Sequence, residues 1–148
     1  MKSLVIYLSV HHNNTEKIAR AISRSLSADL LNLDEASIES LENYDKIGFG
    51  SGIYLTKHHK KLFEFINALP AQENKKAFVF STSGTGLKMF NNPLESKLRE
   101  KGFQVTGSFM CKGYDTHGAS KFIGGINKGR PNEDDIKNAT LFAETLKR

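Results

Sequence analysis

The stretch from Leu4 to Thr15, LVIYLSVHHNNT, constrains this chain more than any other. Leu4-Val5-Ile6-Tyr7-Leu8 is a short apolar run, the pattern of a strand buried on both faces in a parallel sheet. It breaks into Ser9-Val10-His11-His12-Asn13-Asn14-Thr15, and a helical pattern starts at once. Strand, small polar loop and helix start together present backbone N–H groups and a positive helix end to an anion. Ser9, Asn13, Asn14 and Thr15 add side-chain donors at the same spot, and no Lys or Arg lies inside the loop. The expectation is a phosphate held by neutral donors, with the helix dipole supplying the positive potential.

At 148 residues the chain is long enough for one domain with a substantial core, read here as spanning residues 1–148. No apolar run approaches the ~20 residues of a membrane helix, so no membrane span is expected. The N-terminus is better explained by a chain that starts on its first strand than by a signal peptide, because its apolar run is too short. The single cysteine, Cys111, excludes an internal disulfide and suits a reducing cytoplasm, with a small core residue as its plainest role. The net charge is +5, but the basic residues are spread out apart from Lys57-His58-His59-Lys60-Lys61. Without a basic motif interleaved with aromatics they read as a solvated surface, and no nucleic acid is expected as a partner.

Downstream, Thr15 can cap a helix to about Leu26, with Ile18, Ala19, Ile22 and Leu26 on one face. Asp29–Leu33 reads as a second strand, and Asp34–Tyr44 is acidic with a helical turn around Ile38 and Leu41. Lys46–Ser51 is the third strand, whose glycines suggest close approach by a ligand or another backbone. Gly52–Lys57 is an apolar loop before a helix over His58–Leu69, ended by Pro70. Lys76–Thr82 is the fourth strand, followed by the glycine-rich turn Ser83-Gly84-Thr85-Gly86. Asn92-Pro93 starts a helix with Asn as cap, and Gly102 closes it. Phe103–Cys111 is the fifth strand, Lys112–Arg130 a long loop, and Asn132–Asp135 caps a last helix. Strands alternating with helices give an α/β, doubly wound three-layer sandwich.

In such a sheet, ligands bind beyond the carboxyl ends of the strands, where strand order reverses. The loops after strands one, three and four fall at that edge. The first suits a phosphate, the second presents Tyr54 beside Ile53 and Leu55, and the third presents backbone amides around Gly84 and Gly86. An anionic tail, a flat ring and a row of polar ring edges describe one ligand, flavin mononucleotide (FMN). No GxGxxG follows strand one and no GxxxxGK[ST] occurs, which excludes the usual dinucleotide and NTPase loops. Ser9 and Ser51 stand where a receiver-type phosphoacceptor would need acids.

On these residues the chain resembles a short-chain flavodoxin, over nearly its whole length. The resemblance rests on the order of elements, on Ser9–Thr15, on Gly50-Ser51-Gly52-Ile53-Tyr54 and on Ser81-Thr82-Ser83-Gly84-Thr85-Gly86. It implies a five-stranded parallel sheet of order 2-1-3-4-5 and a noncovalent FMN. The resemblance places Ser9, His11, Asn13, Asn14 and Thr15 at the phosphate. It places Ile53 and Tyr54 along one face of the ring, with Ser51 and Gly52 beside them as cofactor-binding residues, and Thr82, Ser83, Gly84, Thr85 and Gly86 along its pyrimidine edge and other face. The phosphate loop departs from the family in lacking glycine; Asn tolerates positive φ and can replace it. The third loop has no Tyr or Trp at the usual stacking position, Phe90 being the nearest aromatic. Carrier flavodoxins are typically acidic, whereas this chain is basic, which should favour the anionic reduced flavin and raise its potential.

The resemblance implies an electron carrier working between redox partner proteins. Gly-Ser-Gly-Ile-Tyr, Lys-His-His and Leu62…Phe65 also resemble flavodoxin-like oxidases of the protoporphyrinogen type, which would add a quinone or porphyrinogen substrate. A flavin-free interaction module is the third reading. Neither adjacent histidine pair, His11-His12 or His58-His59, has metal-ligand spacing.

Overall fold

The computed structural model describes residues 2–10, 12–114 and 125–147. His11, His117 and most of the loop after the last strand lie outside them. The strands are β1 (Ser3–Leu8), β2 (Asp29–Asn32), β3 (Lys46–Tyr54), β4 (Lys57–His58), β5 (Lys76–Ser83) and β6 (Gln104–Lys112). The helices are α1 (Asn14–Leu26), α2 (Lys60–Asn67), α3 (Asn92–Glu100) and α4 (Glu133–Leu146), with short 3-10 turns at Leu33–Glu35, Glu39–Asn43 and Lys88–Asn91.

The sheet runs β2-β1-β3-β5-β6, every neighbouring pair parallel, with the two-residue β4 attached antiparallel to β3. Apart from that attachment, this is the order 2-1-3-4-5 expected from the sequence. Alternation along β1 divides the core. Leu4, Ile6 and Leu8 join Leu62, Ile66, Leu94 and Leu98 under α2 and α3. Val5 and Tyr7 join Ile18, Ile22, Ala139 and Ala143 under α1 and α4. β1 is buried from end to end, as its unbroken apolar run requires.

Gly48 and Gly50 correct one expectation. Their close neighbours are neither ligand nor backbone but the rings of Phe78 and Phe80, which a Cβ would meet at 2.2 and 2.1 Å. These glycines make room for two large core aromatics of the adjacent strand.

Two element boundaries also differ. β3 continues past Ser51 to Tyr54 and folds back through Leu55-Thr56 into β4, pairing Ile53 with His58 and Tyr54 with Lys57. The helix expected from His58 therefore starts at Lys60, with the His59 ring accepting the Lys61 N–H. The second difference is at the caps. α1 has Asn13 at its N-cap and Thr15 inside its first turn, while Asn91 holds the cap position of α3 without a capping side-chain bond. Both Thr15 and Asn91 are buried and engaged elsewhere. Asn132 caps α4 as expected, in a reciprocal pair with Asp135.

Candidate functional site

From β1 the chain order runs outward to β2 on one side and to β3, β5 and β6 on the other, so the switch point lies between β1 and β3. A cleft of about 280 Å3 opens there, close to the lower end of the ~300–1,000 Å3 range of small-molecule sites. Val10, Asn14 and Thr15 line it from the β1–α1 connection, and Gly52, Ile53, Tyr54 and Leu55 from the hairpin. Thr82, Ser83 and Gly84 close it from β5, and Gly113 and Tyr114 from the end of β6.

The glycine-free first loop turns through His12 and Asn13, at φ 56° and 55°. The asparagine does what the sequence suggested, and a histidine does it too. Asn14 and Thr15, the first two residues of α1, line the cleft, which puts the helix N-terminus and its first-turn amides, unpartnered within the helix, at the site. Ser9 Oγ accepts the Glu16 N–H at 3.4 Å. Thr15 and Thr82 share a buried hydroxyl–hydroxyl bond of 2.8 Å, tying the loops after β1 and β5 together.

Asn14 reaches across the site. Its Nδ2 donates to the Tyr114 carbonyl at 2.8 Å, while its Oδ1 is buried with no hydrogen-bond partner among the described residues. Rotating the amide would set two oxygens against each other, so the carbonyl fixes the orientation. Gly113 is required beside it, because a Cβ there would fall 2.6 Å from Asn14 Nδ2. The Tyr114 ring packs against His12 at 4.2 Å between centroids. On the opposite wall, Tyr54 stands edge-on to His59, and burial raises its phenol pKa.

Beneath the hairpin lies a polar chain the sequence did not reveal. His58 is fully buried, with Nδ1 2.8 Å from Ser51 Oγ and Nε2 2.7 Å from Asn91 Oδ1. Asn91 Nδ2 donates to Ser108 Oγ at 2.9 Å and to the Phe109 carbonyl at 3.0 Å, so its Oδ1 must face the imidazole. The proton therefore sits on Nε2 and the Ser51 hydroxyl points to Nδ1, with the Gly52 carbonyl also in its reach at 2.7 Å. Ser51 Oγ in turn accepts the His59 N–H at 3.0 Å. Burial lowers the His58 pKa to about 4, so this strut is neutral at pH 7 and anchors the hairpin to β6.

Of the residues picked from the sequence, Asn14, Thr15, Gly52, Ile53, Tyr54, Thr82, Ser83 and Gly84 meet in one cleft. Ser9 and Asn13 shape its helix end without lining it. Ser51 lies under the floor as part of the strut. Thr85 is exposed, and Gly86, at φ 65°, donates its N–H to Ser83 Oγ at 2.7 Å, bracing the turn. His11 falls outside the described residues. Tyr114, Gly113, Val10 and Leu55 were missed as lining residues; position just past the end of a fifth parallel strand was the available signal for the first two. Tyr114 gives the cleft a second aromatic besides Tyr54, and Phe90 does not line it.

Connections from four parallel strands thus meet at the switch point of an open α/β sheet, the place where such sheets bind ligands. A flavodoxin domain model matches residues 4–113, so the chain belongs to the flavodoxin domain family. An uncharacterized protein of Methanocaldococcus jannaschii is 53% identical to it over 148 residues, covering 99% of this chain and 98% of that one. A short-chain flavodoxin associated with a PDU bacterial microcompartment superposes with a TM-score of 0.72 at 14% identity, over 99% of this chain and 97% of the other. Flavodoxin 2 of Bacillus cereus superposes with a TM-score of 0.69 at 20% identity, over 99% and 98%.

Proposed function

We propose that this chain binds one FMN noncovalently in the cleft and carries electrons between redox partners. Membership of the flavodoxin family implies a flavin. The observation that carries the reading is the convergence of loops from β1, β3, β5 and β6 on one concave site beside a helix N-terminus.

The donor set fits this cofactor. First-turn amides of α1, with Ser9, Asn13 and Thr15 around them, suit its phosphate. The orphaned Asn14 Oδ1 is an acceptor, so it suits a hydroxyl of a sugar-like chain and not the phosphate itself. Ile53, Tyr54 and Tyr114 supply apolar walls for a flat ring, and the turn at Ser83 and Gly84 supplies backbone groups for its polar edge.

Bound flavin supplies the redox chemistry, and the chain supplies binding, exclusion of water and tuning. Burial keeps the Tyr54 phenol protonated, so it presents no charge to the ring. Burial also pushes the Cys111 thiol up to about 12, which leaves no thiolate at neutral pH. His58 is enclosed, with both ring nitrogens in hydrogen bonds. Among the described residues that line the cleft there is no Asp, Glu, His, Lys, Arg or Cys, which supports the carrier reading. The FMN-loaded, photoreduced chain should pass electrons to a protein acceptor and show no ping-pong turnover of a quinone or porphyrinogen. Steady turnover of either, or of NAD(P)H with a quinone, would make it an oxidoreductase instead.

A further inference from the structure

Among the described residues, six large apolar side chains stand exposed, and five of them belong to loops at the cleft edge of the sheet. Val10 follows β1, Leu55 tips the hairpin, Leu87 and Met89 follow β5, and Ile126 follows β6. Leu55 is 97% exposed and Met89 63%. Single exposed apolar residues need no explanation, but five on the connections at one edge of the sheet, with Val10 and Leu55 lining the cleft itself, do.

The Lys and Arg residues are the charged side chains in the described parts of the connections after β1, β3, β5 and β6, while the turn after β2 at the same edge carries Asp34 and Glu35. Lys57, Lys88, Lys112 and Lys128 are exposed, and no ion pair among the described residues holds any of them. Asn127, between Ile126 and Lys128, donates to the carbonyls of Gly84 and Gly113 at 2.7 and 3.3 Å, which pins that segment to two cleft-lining residues. The described residues of the loops after β1, β3, β5 and β6 contain no Asp or Glu before the cap of α4.

We propose that this apolar, lysine-rimmed mouth is the docking face for an acidic redox protein. The partner presents an apolar centre to Leu55, Leu87 and Met89, and a carboxylate ring to the lysines. Complementary charge steers the encounter and the apolar centre excludes water, bringing the partner's redox centre over the cleft. Flavin held by the cleft would supply the chemistry, one electron from its reduced form to the partner's oxidised centre, with no bond made or broken in the chain. The apolar residues sit on separate connections, two of them at the cleft, which suits a protein surface better than a bilayer; interfacial helices present one continuous apolar face. The inference rests on the flavin reading above.

The test uses the full chain, FMN-loaded and photoreduced, mixed in stopped flow with two high-potential acceptors of opposite charge: acidic plastocyanin and basic cytochrome c. The rate with plastocyanin should fall about tenfold or more from about 20 mM to about 300 mM salt, and the rate with cytochrome c should rise. The triple variant Lys57→Glu, Lys88→Glu, Lys128→Glu, which leaves the cleft lining intact, should invert that preference at low salt. Salt-independent rates with both acceptors, or faster reaction with cytochrome c at low salt, would overturn the docking proposal while leaving flavin binding standing. Binding to phosphatidylglycerol vesicles that exceeds the response to plastocyanin and vanishes in the triple variant would also overturn it. A chain that takes up no FMN would overturn both readings.

Discussion

Asn14 joins the helix end of the cleft to the residue that closes it, through a bond spanning 100 positions in sequence. Asn14→Asp replaces the donor facing the Tyr114 carbonyl with a carboxylate, adding charge repulsion near the cofactor's phosphate. We predict a loss of FMN affinity of about tenfold to a hundredfold, roughly 1.4–3 kcal/mol. Gly113→Ala tests the same contact from the other side: the new Cβ must displace Asn14, so affinity should fall while the urea midpoint of the apoprotein moves little. Unchanged affinity in both variants, by fluorescence titration, would show that Asn14 lies away from the ligand. His58 gives a pH signature. Its pKa is about 4 when folded against 6.5 in its ordinary state. The unfolded chain thus takes up a proton below pH 6.5 that the native chain refuses until about pH 4, and stability falls as pH drops through that window. From about pH 7 to about pH 5 the loss from this group should be about 2 kcal/mol by urea unfolding, and His58→Gln should flatten the slope.

Among the elements, the β3–β4 hairpin departs furthest from local preference. Leu55 and Thr56 both adopt positive φ, 48° and 71°, as a two-residue hairpin turn demands, yet one is β-branched and the other a large apolar residue. Replacing them by Asn-Gly should stabilise the fold by about 1 kcal/mol, read from the shift in urea midpoint. The same change should slow electron exchange with an acidic acceptor, because Leu55 is gone from the mouth. A gain in stability with no loss of rate would mean the turn's sequence serves no docking role. This element also marks where sequence reading ended. The apolar character of Gly52–Lys57 was visible, but with Leu55-Thr56 in place of the usual Asn-Gly the turn was not, so β3 was stopped at Ser51. His58 then looked like one member of a basic surface run, although the hairpin turns it into the core.

At the scale of the molecule, the parallel order was legible because each buried strand carries its own apolar run and crossovers have one hand. The site was legible at strand ends and at the helix start that follows β1, as at Tyr54, Thr82, Asn14 and Thr15. Tyr114 and Asn91 were not, since their partners lie far off in sequence, and the Ser51–His58 contact was not, since it needs the hairpin turn at Leu55-Thr56. The roles of Gly48 and Gly50 were hidden similarly: the rings they accommodate belong to the neighbouring strand. The basic surface also bears on potential. Reversing one mouth lysine at ~10 Å from the flavin is worth about 0.8 kcal/mol at the dielectric of water, so the Lys57, Lys88 and Lys128 reversals should make flavin reduction harder. A redox titration should find a more negative potential in that variant, and an unchanged or more positive one would remove the lysines from the tuning.

Everything proposed for the cleft depends on one uptake measurement: titration of the purified chain with FMN, followed by quenching of flavin fluorescence and by the melting temperature. The account predicts saturation at one FMN per chain, and at about 100 times the Kd a gain near 2.7 kcal/mol, or roughly 5–10 °C. Fluorescence and melting temperature that stay unchanged at saturating FMN would contradict it.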